Sequence, residues 1–465
     1  MSSSLVRFKD RSLQEIRGFL ELKRPTFAVL LFILTLLFVV PVYNQGDLNH
    51  TVVSSYAYLK GHLFDFYDFN QPFMWGNDYL PLLYGIFALW MAPYFFLGFP
   101  VASEISGPVV LAPGDIAVLF PAEILWAKLL LVLFFLASVF LVYKIAKLIH
   151  PESHSRQSVA VWSYSLSPFA LFSFGVFSQY DIIGVVFTLA AIYMFLQRKL
   201  LPFSIIIGFA ISFKFFAALL VLPLLFLATK KFRKIFKFGM ISIAPVVIQF
   251  LIYWSNDAFR GRIFTQITSK AEGAATGWEA YLAITVYLVV CVSAIFSDRW
   301  QGSFEQKTIL FVLAPYGFVL ASVVWHPQWL LILTPFIALM TSFMSRPYLW
   351  IIWESLAFIA FIGFVVTYFQ GNVDGVMIQR GALGSHFPVG AVPISSFFPA
   401  SLIPVFQELI KFFLISSTVV LTVEIFSSKK NNQVVPSALW SIRTFVIWLA
   451  FIVPTILAIY SPTVI

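Results

Sequence analysis

Charge is what this sequence has least of. Only 11% of its 465 residues are Asp, Glu, Lys or Arg, against roughly a quarter in a soluble globular chain. With a mean hydropathy of +0.90, that shortage excludes a soluble enzyme and indicates an integral membrane protein. Cysteine is nearly absent as well. A single one, Cys291, lies in an apolar run, so the chain has neither an intrachain disulfide nor dithiol redox chemistry. No GxxxxGK[ST], no GxGxxG after a strand, no HExxH and no cysteine–histidine cluster occurs, which removes the common nucleotide and zinc motifs. The formal net charge of +9 does not point to nucleic acid. Its cations gather in short segments between apolar runs, where they orient a chain in the bilayer.

Apolar runs near the length of a membrane span, about 20 residues, recur along the whole chain. Helices are expected near 25–43, 79–99, 121–149, 158–177, 180–197, 201–228, 236–256, 280–297, 307–325, 327–344, 347–369, 403–426 and 439–460. The fold class is therefore all-α, a polytopic transmembrane bundle of about 11–13 helices forming one domain, with no internal repeat and no soluble domain. Residues 1–24 carry Arg7, Lys9, Arg11, Arg17, Lys23 and Arg24 and lack a small-residue cleavage site. They read as a cytoplasmic segment, not a removable signal peptide.

The other basic clusters lie at 144–156, 198–199, 230–237 and 429–430. All of them share the cytoplasmic face only if two segments behave unusually. The segment 79–99 adds no net crossing and lies at the interface or re-enters. The segment 201–228 is a hairpin, basic at both ends, with Lys214 at its midpoint. Its arms, about 14 residues each, are short for a full span, so protein must surround them. The long segment 44–120 then becomes an outer-face loop with interfacial helices. It holds Asp47, Asp65, Asp68, Asp78, Glu104 and Asp115 against a single Lys60. Loops of that length are usually functional, and this one is acidic.

Five features carry candidate chemistry. Asp47, in YNQGDLNH, follows the first helix; it is either a general base at the membrane surface or a cap for the helix that starts there. Gln179 and Asp181, in FGVFSQYDIIG, interrupt apolar sequence, where an acid is a functional candidate. The same two residues also fit a plain turn with Asp181 capping the next helix. Lys214 is a lone cation in apolar sequence and needs an anion, either a phosphate or one of the aspartates, unless it snorkels to the interface. His326, in VVWHPQWLLILTPF, sits at an outer turn and fits phosphate or sugar hydroxyls. Arg260 and Arg262 fall outside against the positive-inside trend, which suits anion recognition or simple balance with Asp257, Glu272 and Glu279. NHT at 49–51 matches an N-glycosylation sequon.

Taken in order, these pieces resemble the GT-C class of multi-spanning glycosyltransferases over roughly residues 25–340. The Asp47 loop, YLPLLYGIFALW, the basic helix end LVYKIAKLIH, the SQYD turn, the hairpin GFAISFKFFAALLVLPLL and HPQWLLILTPF carry the likeness. Two departures are Leu80, where a second proline is common, and a lone Asp181 in place of an acidic pair. The resemblance implies a core over 25–344 with additional helices over 345–465. It implies transfer of a hexose, mannose foremost, from a polyprenyl-phosphate donor to a lipid-linked or glycan acceptor, with inversion. Asp47 would be the general base. Lys214, Arg260 and Arg262 would form the phosphate site, and Gln179, Asp181 and His326 would contact sugar or lipid phosphate. No cofactor is required, although a divalent metal between Asp47 and Asp181 is compatible with the pattern. The site would face the outside of a bacterial or archaeal plasma membrane, or the lumen of the endoplasmic reticulum. A transporter or lipid-linked-sugar flippase is the competing reading; such proteins commonly show inverted repeats, and none is found here.

Overall fold

The computed structural model describes residues 26–70, 79–102, 119–265, 278–322, 329–368, 377–387, 399, 401–427, 435 and 437–460. Every regular element among them is helical. The succession is α1 (Thr26–Val42), α2 (Gly46–Leu59), α3 (Phe66–Asn70), α4 (Pro81–Phe96), α5 (Pro121–Ile149), α6 (His154–Ser165) and α7 (Asp181–Leu196). Next come α8 (Leu200–Phe213), α9 (Val221–Ala228), α10 (Phe232–Tyr253), α11 (Trp278–Ile295), α12 (Phe304–Ser322) and α13 (Leu330–Thr341). The chain finishes with α14 (Pro347–Tyr368), α15 (Leu402–Ser427) and α16 (Ser437–Tyr460).

Among the described residues, four segments are long and apolar enough to cross a membrane: Pro121–Ile149, His154–Val176, Phe232–Tyr253 and Pro347–Val365. With the shorter apolar helices around them, they make this an integral membrane protein with a polytopic helical bundle. Burial separates centre from periphery. The most apolar window of His154–Val176 is 94% buried and that of Phe232–Tyr253 only 11%, so the former is the axis of the bundle and α10 presents its sides to lipid.

The central segment is not one straight helix. After α6 the chain breaks at Leu166 and Ser167, restarts at Pro168–Leu171 and widens into a π-helical turn over Phe172–Val176. The turn closes with the Phe177 N–H donating to the Phe172 carbonyl. Ser178 then takes a positive φ of 52°, a left-handed conformation uncommon outside glycine. That reversal delivers Gln179 and starts α7 at Asp181.

The expected hairpin is present and breaks at Lys214, whose backbone is extended (φ −152°, ψ 117°). Its ascending arm α8 packs between α7 and α10. Gly208 is needed there, because a Cβ would lie 2.6 Å from the Ser242 carbonyl of α10. The descending arm, a 3₁₀ turn over Phe215–Leu220 followed by α9, packs on α10, α11 and α12. Both ends of the hairpin lie at one end of the bundle and Lys214 at the other.

Helix α4 remains at the Lys214 end throughout. Near its start, the Leu82 N–H donates to Gln249 in the last turns of α10. Farther along, Trp90 and Trp126 exchange indole-to-carbonyl hydrogen bonds, and Phe95 stacks on Tyr56 of α2. Glu123, buried in the first turn of α5, accepts hydrogen bonds from Tyr56, from the Phe120 N–H and from the Ala102 N–H. One carboxylate thus ties together α2, α5 and the chain leaving α4.

Candidate functional site

The site is built from chain reversals at one end of the bundle. The first follows α1. Gln45 caps α2, and its side-chain oxygen accepts the Asp47 backbone N–H at 2.8 Å. The capping duty considered for Asp47 thus falls to Gln45, and the Asp47 carboxylate is turned elsewhere. It accepts a hydrogen bond from Gln179 Nε2 at 3.2 Å, across 132 residues of sequence.

The second reversal is the SQYD turn. Asp181 occupies the first position of α7, where the positive end of the helix dipole favours a carboxylate. It is buried, with Lys214 Nζ 3.0 Å from Oδ2; the two side chains are 15% (Lys214) and 1% (Asp181) exposed. Lys214 also lies 5.3 Å from the ring centre of Tyr79 and 5.6 Å from that of Trp329. Such aromatic faces attract a cation. Tyr79 in turn meets Tyr180 edge-on at 5.1 Å. Asp47, Gln179, Tyr180, Asp181, Lys214 and Tyr79 therefore form one continuous cluster.

The third contribution comes from residues 377–387. The Asn44 N–H donates to the Met377 carbonyl, and the Leu383 N–H to the Pro41 carbonyl. Gly381 sits so close to Val42 that a Cβ would overlap its carbonyl. This docking sets the half-buried Arg380 within electrostatic reach of Asp47 and His50. Burial pushes the His50 imidazole below its ordinary pKa; the Asp47 carboxylate opposes that shift and the Arg380 guanidinium reinforces it. Burial also lowers the pKa of Arg380, with Asp47 pulling the other way.

The sequence candidates are distributed unevenly. Asp47, Gln179, Asp181 and Lys214 converge. Arg260 instead faces Asp257 and the Trp254 carbonyl. Among the described residues, no contact joins Arg260 or Arg262 to the cluster. Their segment is docked on α3, where the Ala258 N–H donates to Asp68. His326 lies outside the described residues, as do Asp78, Glu104 and Asp115. Asn49 of the sequon is buried and accepts from Asn44 Nδ2 at 2.6 Å, which leaves its amide no access to a glycosylating enzyme.

Sequence reasoning gives no site role to Tyr79, Tyr180, His50, Arg380 or Lys128, and reads Trp329 only as an interfacial aromatic. Two of these carried a readable signal. Lys128 is a lone cation in an apolar run, the argument that singled out Lys214. Arg380 is a cation between two expected helices, 347–369 and 403–426, as Arg260 is between 236–256 and 280–297.

Among the described residues, no group of three or more His, Cys, Asp and Glu side chains is arranged to hold a metal ion. The donor set also fits poorly a metal shared by Asp47 and Asp181, since the Lys214 ammonium already occupies the face of Asp181.

Comparison with known protein families finds no match, and no curated protein matches the sequence. Among solved structures, the crystal structure of ArnT from Cupriavidus metallidurans in the apo state aligns with 93% of this chain and 77% of its own, at 10% identity and a TM-score of 0.43.

Proposed function

We propose that the protein is a membrane glycosyltransferase that moves a hexose from a polyprenyl-phosphate donor to an acceptor hydroxyl. The observation that carries this reading is the pairing, at one end of the bundle, of a carboxylate held by an amide with a buried ammonium and a half-buried guanidinium. A base and positive charge are the two demands of the reaction. The acceptor oxygen must lose a proton as it attacks the anomeric carbon. The departing phosphate must be met by positive charge.

Asp47 is the general base. Gln179 donates to one of its oxygens, which orients the carboxylate and leaves the other oxygen for the acceptor hydroxyl. General base catalysis contributes roughly 10²–10⁴-fold. Attack opposite the leaving group inverts the anomeric centre, the geometry of a single displacement. Lys214, held by Asp181, and Arg380 form the cationic side that receives the phosphate. Preorganised charge of this kind is worth most where water is excluded. Arg380 takes the role for which the sequence alone had offered Arg260 and Arg262. Tyr79 and Trp329 supply flat apolar walls beside Lys214, suited to the face of a sugar ring. No step requires a metal. Mannose is the hexose favoured by the sequence resemblance, and a lipid-linked or glycan acceptor follows from the same source, as does an outer or lumenal active face.

The test is incubation of the full-length protein, in nanodiscs, with polyprenyl-phosphate-linked mannose and glucose and a panel of lipid and glycan acceptors. A new glycosidic bond with inverted configuration is expected. Movement of labelled donor across sealed vesicles without a new bond would favour the transporter reading instead.

A further inference from the structure

Helix α5 carries Lys128 about two turns from its start, and the side chain is 1% exposed. Its ammonium faces three backbone carbonyls: Tyr43 at 2.5 Å, Gly175 at 2.9 Å and Val39 at 3.4 Å. A lysine ammonium has three N–H donors and no acceptor, so the three carbonyls match its hydrogens one for one. Val39 and Tyr43 stand at the C-terminal end of α1, where the helix dipole favours a cation; the Val39 carbonyl also accepts the Tyr43 N–H. Gly175 belongs to the π-helical turn of the central segment.

The two chains bound by Lys128 are the stems of the two site turns. Tyr43 is four residues before Asp47, and Gly175 is four residues before Gln179. They also touch directly, since a Cβ at Gly175 would stand 2.8 Å from Val39 Cγ1. Above that contact the Gln179–Asp47 hydrogen bond spans the same two turns. The figure is closed: one ammonium below, one amide-to-carboxylate bond above, and four residues of chain on each side.

We infer that Lys128 is a positioning residue for the proposed transfer, fixing the distance between the Asp47 and Gln179 turns through three backbone carbonyls. It touches neither carboxylate and takes no part in proton transfer. The inference rests on the proposed reaction for its kinetic consequence, but its structural half can be read without any substrate.

The experiment pairs two variants with two readouts on the full-length protein in nanodiscs. Lys128→Met keeps the apolar stem and removes all three donors; Lys128→Gln keeps two. Hydrogen exchange followed by mass spectrometry is expected to accelerate in Lys128→Met over 43–51 and 172–181, and to stay unchanged elsewhere. Transfer by that variant should lose about 10²-fold in kcat, the scale of a 1 Å misplacement, with KM for the donor unchanged and Lys128→Gln intermediate. Faster exchange along the whole chain, or nowhere, overturns the inference, as does a raised KM with kcat intact. If Lys128→Met fails to fold, Lys128→Gln answers with the same two measurements. Localised exchange in a protein that transfers no sugar would uphold the positioning role and remove the proposed reaction.

Discussion

The Lys214–Asp181 pair offers a prediction whose size can be worked from the coordinates. The two charges are 3.0 Å apart with side chains 15% and 1% exposed. At an effective dielectric near 20, their attraction is about 5 kcal/mol. Removing either partner leaves the other charge buried alone, at a cost of about 3–5 kcal/mol, whereas replacing both with apolar side chains is often close to neutral. Lys214→Met and Asp181→Leu should each destabilise the protein strongly, and the double variant should recover most of the loss. The assay is steric-trap unfolding in bicelles for all four proteins, with sugar transfer measured alongside. Transfer should not recover in the double variant, because the ammonium that meets the phosphate is gone. Additive losses of stability would refute the pairing argument. Transfer at the normal rate in the double variant would refute the role of Lys214.

Other consequences are smaller and independent. Arg380→Gln should raise KM for the polyprenyl-phosphate donor at least about tenfold, the worth of one charge-assisted hydrogen bond. An Arg260→Gln/Arg262→Gln double variant should leave it unchanged; the reverse pattern would return the phosphate site to that segment. At the opposite end of the bundle, His150 packs against Ser342 and Phe343, and burial pushes its pKa down to about 3. A depressed folded-state value means that its contribution is complete above pH 6.5 and is lost as the pH falls toward 3. The loss is about 1.4 kcal/mol per pH unit below 6.5. Between pH 6.5 and 4.5 the thermal stability of His150→Asn should therefore fall less steeply than that of the native protein; parallel curves would exclude a buried neutral imidazole.

Sequence patterning made the helices legible because bilayer length and apolar runs constrain them together. It also exposed Asp47, Asp181 and Lys214, since charges in apolar surroundings stand out by contrast. The Lys214 break was anticipated for the same reason, as a hairpin with basic residues at both ends had to turn somewhere. What escaped depends on contacts that the order of residues does not encode. Lys128 binds carbonyls, which every residue has, so no partner could be named for it. Arg380 comes within electrostatic reach of Asp47 only because residues 377–387 dock on 41–44, more than 330 positions away in sequence. Of the two readings of Asp47, the cap fails for a local reason: Asp is the commoner cap, but α2 already starts at Gly46, so Gln45 holds the cap position and accepts the Asp47 N–H. With Gln45 at the cap, the Asp47 carboxylate turns to Gln179 instead.

The central claim is that the Asp47 carboxylate takes the proton of the acceptor hydroxyl. Asp47→Asn keeps the size of the side chain and an oxygen for Gln179 while removing its basicity. Single-turnover transfer from a labelled polyprenyl-phosphate hexose measures that change without interference from product release. The account predicts a rate lower by roughly 10²–10⁴-fold with donor binding retained; transfer by Asp47→Asn at the native rate would contradict it.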